Sequence, residues 1–222
     1  MKIIKRLLSF IFLCVIIAGG VLGYKGYEEY KKALSEESVK EMAARIEEQP
    51  NYTTIDELPQ TYIDAVLSVE DKRFYDHFGV DPIAVGRAFF NDVKAGAYVE
   101  GGSTITQQLA KNAFLTNERT ITRKIKEAFI ARQLEERYTK DEILNMYLNR
   151  IYFGQGTYGV ECASLYYFGK HVEDIDLAEA ATLAAIPKSP NYFNPLENPK
   201  ASKERQELVL DQMVKYGYIT QA

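Results

Sequence analysis

Two carboxylates, Glu70 and Glu127, stand on either side of the most informative stretch of the chain, Gly101-Gly102-Ser103-Thr104-Ile105-Thr106-Gln107-Gln108-Leu109-Ala110-Lys111-Asn112. Its two glycines free the backbone, and Thr104 with Gln107 three residues on fits a capping box, so a helix is predicted to begin there. On a helical projection Thr104, Gln107, Gln108 and Lys111 share one stripe, while Ile105 and Leu109 face a core. Donors and a cation then converge near a helix N-terminus, a setting that favours anions. Further on, a regular helix from near Arg119 projects Arg119, Arg123, Lys126 and Glu127 together. Three like charges on one stripe repel, so they belong either on a solvated face or around an anion carrying several charges, which a pyrophosphate would satisfy.

The two carboxylates are expected to differ. Glu70 falls where a helix should end, beside Val69 and ahead of Phe74 and Phe78, and partial desolvation there would raise its pKa and make it a better base. Glu127, flanked by Arg123 and Lys126, is expected to have its pKa lowered. It would then be a poor general acid for breaking a glycosidic bond to an alcohol. A pyrophosphate leaves without such an acid if cations near Lys111, Arg119 and Lys126, or a divalent metal, neutralise it. His77 reads as a hydrogen-bonded structural residue, and no cluster has zinc-like spacing.

Five ordered blocks, taken together, closely resemble the peptidoglycan glycosyltransferases, the transglycosylase domains of class A penicillin-binding proteins and their monofunctional counterparts. They are Glu70 to Asp81, Gly101 to Asn112, Arg123 to Glu127, Leu148 to Gly159 and Glu179 to Pro187, and the resemblance covers roughly residues 53 to 222. It implies a mainly α, lysozyme-like domain that polymerises lipid II into β-1,4-linked glycan strands and releases undecaprenyl diphosphate. Glu70 matches the family's general base, and Glu127 the residue assisting diphosphate departure, by orienting cations or by holding Mg²⁺ or Mn²⁺ against the diphosphate. Arg87, Ser103, Thr104, Gln107, Gln108, Lys111, Arg119, Arg123 and Lys126 are the matching substrate-binding positions. No organic cofactor is implied; lipid II, the growing glycan, membrane lipid and the wall-synthesis machinery are the implied partners. Attack by one base opposite the leaving group implies inversion. A wall hydrolase and a non-catalytic scaffold are the competing readings, disfavoured by the cationic setting of Glu127 and by the retained block residues. No Ser-x-x-Lys or Lys-Thr-Gly occurs, so the chain shows no transpeptidase signature, and both a monofunctional enzyme and a piece of a longer one remain open.

The elements that must hold these residues are helical. The 222 residues are 46% hydrophobic, enough for one good core, and a net charge of −4 gives no reason to expect nucleic acid. Residues 1–6 are basic, and Leu7 to Tyr24 is an uncharged apolar run long enough to cross a bilayer, read as an uncleaved anchor with the rest of the chain outside the cytoplasm. Residues 25–52 read as a charged juxtamembrane helix or stalk, and 53–222 as the folded domain. Asp81-Pro82, Thr139 with Glu142, and Asp176 mark helix starts; Gly96 and Gly217 mark ends. The segment after Thr139 is apolar nearly all round and should be buried, and a last helix is expected from Ser202 to Tyr216 after a proline-marked connector. Ala88-Phe89-Phe90 and Val93 to Val99 read either as a membrane-resting stretch or as a core helix ending in a loop. Tyr152, Gly154, Gly156 and Gly159 are expected to shape a tight connection beside an acceptor groove. Cys14 and Cys162 are placed too differently to pair.

Overall fold

The first helix, α1 (Lys2–Glu36), runs without a break from the apolar segment into the charged one. The structure, a computed structural model, describes residues 2–97, 101–115 and 120–221. The apolar side chains from Ile4 to Ile17 stand exposed on every face of α1, and the helix is long and apolar enough to span a membrane. A helical stretch apolar all round and packed on no other described residue is the pattern a lipid solvent permits.

The stalk expected over 25–52 is part of the folded body. After a capping box at Ser38 and Glu41, α2 (Val39–Glu47) buries Val39, Met42 and Ile46 in the core. Burying each such side chain is worth about 1.5–3 kcal/mol, more than a solvated stalk gains from its charges. Packing begins earlier still, at Gly26 of α1, with Tyr30, Ala33 and Leu34 lying against the core, and not at residue 53.

The remaining helices are α3 (Gln60–Glu70), α4 (Pro82–Ala95), α5 (Ile105–Phe114), α6 (Ile121–Arg137), α7 (Lys140–Arg150), α8 (Val160–Phe168), α9 (Leu177–Ala185) and α10 (Pro199–Lys215). All of them but α4 contribute side chains to one core. The predicted capping boxes at Thr104 and Thr139 form, the helix expected near Asp176 starts with a capping box of its own, and Gly96 closes α4 with φ of +63°. The alanines of α9 let it sit at the centre, against both α3 and α10, while α5 packs against α6 and α7. As expected, α7 is buried over most of its surface. Asn149 in its last turn accepts from the Thr53 N–H at 2.9 Å and donates to the Thr53 carbonyl at 2.8 Å, fastening the segment that enters α3. The last helix starts at Pro199 rather than Ser202, because proline without an N–H is at home in a first turn. The only described strands are β1 (Tyr152–Gly154) and β2 (Thr157–Tyr158), a hairpin whose turn residues Gln155 and Gly156 both take positive φ, +51° and +74°. The hairpin does not line the main cleft.

Candidate active site

A cleft of about 1020 Å³ opens between the end of α3, the first turns of α4 and α5, the face of α6 and the middle of α10. Glu70 is the last residue of α3, partly exposed on the cleft wall. Among the described residues its hydrogen-bond partner is Gln108, whose Nε2 donates to Oε2 at 2.7 Å. The same amide accepts on its oxygen from the buried Tyr147 hydroxyl at 3.4 Å, which sets which end of the amide points at Glu70. Burial first, and then the Glu70 charge, push the phenols of Tyr62 and Tyr147 well above their ordinary pKa, so both stay protonated donors. The Tyr62 hydroxyl has no partner among the described residues.

The next residue, Asp71, explains why Glu70 stays put. Its buried carboxylate accepts from the Ile105 N–H at 2.9 Å and from His77 Nε2 at 2.9 Å. The end of α3 is thereby tied to the start of α5, the helix that carries Gln108. His77 is the structural residue expected. The helix N-terminus expected to receive a ligand anion instead holds the chain's own Asp71, which fits its positive dipole end equally well.

The polar stripe of α5 divides in two. Gln108 and Lys111 line the cleft, while Gln107 turns away: it is buried, and its Oε1 accepts from the Thr104 N–H at 3.2 Å in the capping box. Thr104 lines the cleft wall, but its hydroxyl is spent, donating to the Gly79 carbonyl at 2.6 Å and accepting from the Gln107 N–H at 3.1 Å. Gly79 is required there. It has φ of +79°, and a Cβ would lie 3.1 Å from the Ala131 backbone of α6.

Across the cleft, Glu127 is the buried centre of a cationic cluster. Arg123 Nη1 donates to its Oε2 at 3.3 Å, and Lys124 Nζ donates to its Oε1 and, at 2.6 Å, to Ser103 Oγ. Lys126, expected beside them, faces the other way and pairs with Glu29 of α1 at 3.7 Å. Helical geometry supplies the reason. At about 100° per residue, Arg123 and Lys124 stand about 40° and 60° either side of Glu127, whereas Lys126 stands about 100° away. Lys124 was missed although that arithmetic finds it. Arg119 lies outside the described residues, as do residues 98–100 of the apolar stretch.

Arg87, on an exposed face of α4, lines the cleft. Arg205 of α10 also lines it, with its Nε buried and without a partner among the described residues; burial lowers its pKa, and Glu70 pulls it back up. It went unnoticed because only tertiary packing brings α10 to α3. Phe89, Phe90 and Val93 of α4 stand 71%, 65% and 64% exposed, so the core-helix reading of that stretch does not hold.

A divalent metal does not fit the described residues. Both Glu127 oxygens are held by cations, Asp71 Oδ2 is taken by the Ile105 N–H and His77, and Asp81 caps α4 and pairs with Arg73. Among the described residues no group of three or more metal-ligating side chains gathers.

These features define a helical domain on a membrane-length helix, with a lone carboxylate facing a cation cluster across an open cleft. Residues 36–214 match the family described as Transglycosylase, and the chain belongs to it. It is 46% identical to penicillin-binding protein 1F of Bacillus subtilis (strain 168) over 98% of this chain and 31% of that protein. Against penicillin-binding protein 1A of Aquifex aeolicus (strain VF5), identity is 52% over 76% of this chain and 23% of the relative. Against penicillin-binding protein 1A of Vibrio cholerae it is 40% over 100% and 29%. The chain thus spans about a quarter to a third of these relatives.

Proposed function

We propose that this protein is an inverting peptidoglycan glycosyltransferase, polymerising lipid II into β-1,4-linked glycan strands at the outer face of a bacterial cell membrane, with α1 as a single-pass anchor. The observation that carries this reading is the contrast across the cleft. Glu70 keeps oxygen capacity for a proton, while Glu127 is consumed in holding Arg123 and Lys124. Glu70 takes the proton of the acceptor sugar's 4-hydroxyl as that oxygen attacks the anomeric carbon of the lipid-linked sugar. Gln108, positioned by Tyr147, keeps the carboxylate aimed. Charge builds on the departing diphosphate, and Lys124 and Arg123, fixed by Glu127, meet it with Lys111 and Arg87 from the other walls. The released group is undecaprenyl diphosphate, and the new linkage is β because attack comes from the face opposite the departing group. The exposed Phe89, Phe90 and Val93 give the lipid tail an apolar place to enter from the membrane.

Full-length protein in liposomes with fluorescent lipid II tests the reading. Glycan chains resolved by gel electrophoresis are expected, and they should vanish in Glu70→Gln. Absence of polymer from folded wild-type protein, or soluble fragments released from finished wall instead, overturns it.

A further inference from the structure

We infer that the joint between α1 and α6 is a fixed mount, holding the Arg123–Lys124–Glu127 cluster at the level of the bilayer's phosphates. This rests on the reading of a lipid-linked diphosphate donor. The apolar run of α1 ends at Tyr24, and Gly26 two residues on, about 3 Å along the axis, is buried against α6. A Cβ on Gly26 would lie 2.5 Å from Ile125 Cγ2 and 2.7 Å from its Cβ, so only glycine allows the approach. Ile125 sits between Lys124 and Lys126, on the side of α6 turned from the cleft.

The contact continues upward. Tyr27 and Tyr30 pack on Phe129 at ring distances of 5.4 and 5.5 Å, the Tyr30 hydroxyl donates to Gln133 Oε1 at 2.9 Å, and Glu29 meets Lys126 at 3.7 Å. Residue numbers rise together on both helices, so they run parallel and the N-terminal end of α6 lies nearest the bilayer. At that end Ile121 is 66% exposed, an apolar side chain where the membrane surface should be. No flexible linker intervenes: α1 is one helix through the joint, so the span fixes the height and tilt of α6. A diphosphate tethered to a lipid is confined to the headgroup plane, and a cluster mounted there meets it without extracting the chain from the membrane. Gly26 is thus a positioning residue, acting through α6.

The test raises the mount without touching it. Seven polar residues inserted between Tyr24 and Lys25, two helical turns, lift the domain by about 10 Å while preserving its facing. In liposomes this variant should polymerise lipid II at least about tenfold more slowly than wild type. In detergent micelles with a short-chain donor the two should agree within about twofold, which a merely structural defect would not produce. Equal rates in liposomes overturn the mount. A second readout does not depend on catalysis: a spin label on Ile121→Cys, with Cys14→Ser and Cys162→Ser, should report headgroup depth in the original chain and bulk water in the insertion variant. A label in bulk water in both chains overturns the inference even if polymerisation is never observed, whereas failed catalysis with correct depth indicts the reading of the active site instead.

Discussion

The two walls of the cleft present one chemical group in two states. On the α3–α5 wall Glu70 is half-buried, touched by one neutral amide, and backed by Asp71, whose Oδ2 joins the end of α3 to the start of α5. On the α6 wall Glu127 is buried to 2% side-chain exposure with both oxygens on cations. A carboxylate with a free lone pair can receive a proton; one saturated by Arg123 and Lys124 can only hold them in place. The division of labour follows from partners rather than from residue type.

The strongest way to break this comparison is to neutralise the free carboxylate. Glu70→Gln keeps the shape and an acceptor oxygen while removing the base, and turnover should fall by about 10²- to 10⁴-fold with an unchanged thermal unfolding curve. Wild-type turnover in that variant would remove Glu70 from the chemistry. Its neighbour should behave in the opposite way. Asp71→Ala strands two buried donors, the Ile105 N–H and His77 Nε2, at about 1–3 kcal/mol each, so unfolding in urea should lose roughly 3 kcal/mol. Any fall in its turnover should be the smaller effect once folded protein is compared.

How far these walls were legible depended on range. Capping boxes, the Asp81-Pro82 start and the buried α7 are local patterns, and Thr104, Thr139 and Asp176 each announce themselves within four residues. Glu70 at a helix end was legible for the same reason. The division of the polar stripe was not, because Gln107 had two uses and the capping box won. Lys124 was legible but overlooked, since sequence proximity to Glu127 drew attention to Lys126 rather than angular position. Arg205 and the Asp71 tie to Ile105 are contacts between residues 135 and 34 positions apart from their partners, which no periodicity encodes. The burial of Met42 and Ile46 is not legible for the same reason: the charged face of residues 25–52 is visible in the sequence while the core that receives these side chains is not.

A finer cut tests which lysine belongs to the cation wall. Lys124→Ala should lower turnover by about ten- to a hundredfold, short of the loss typical for a buried anion-stabilising donor because the side chain is 44% exposed. Lys126→Ala, which loses only the contact to Glu29, should stay within about twofold in detergent. Reversal of that order would return Lys126 to the cleft and redraw the wall.

The smallest effect comes from a paired carboxylate away from the cleft, which separates pairing as such from pairing at the site. Glu161 accepts from His171 Nδ1 at 2.6 Å and from the Val172 N–H at 2.9 Å, and its hydrogen bond, then its charge, raise the His171 pKa above the ordinary value. A raised histidine pKa means the pair's stabilisation is whole below about pH 6.5, the unfolded value, and fades as pH climbs through the folded one. The melting-temperature difference between wild type and His171→Gln should therefore be largest near pH 6 and close toward zero by pH 9. The gap stays small throughout because His171 is exposed and screened by water. Polymerisation measured at one pH should be the same in both, since neither residue lines the main cleft. A variant that polymerises more slowly would mean that the α8 end of the molecule reaches the reaction, and the two-wall account would need a third surface.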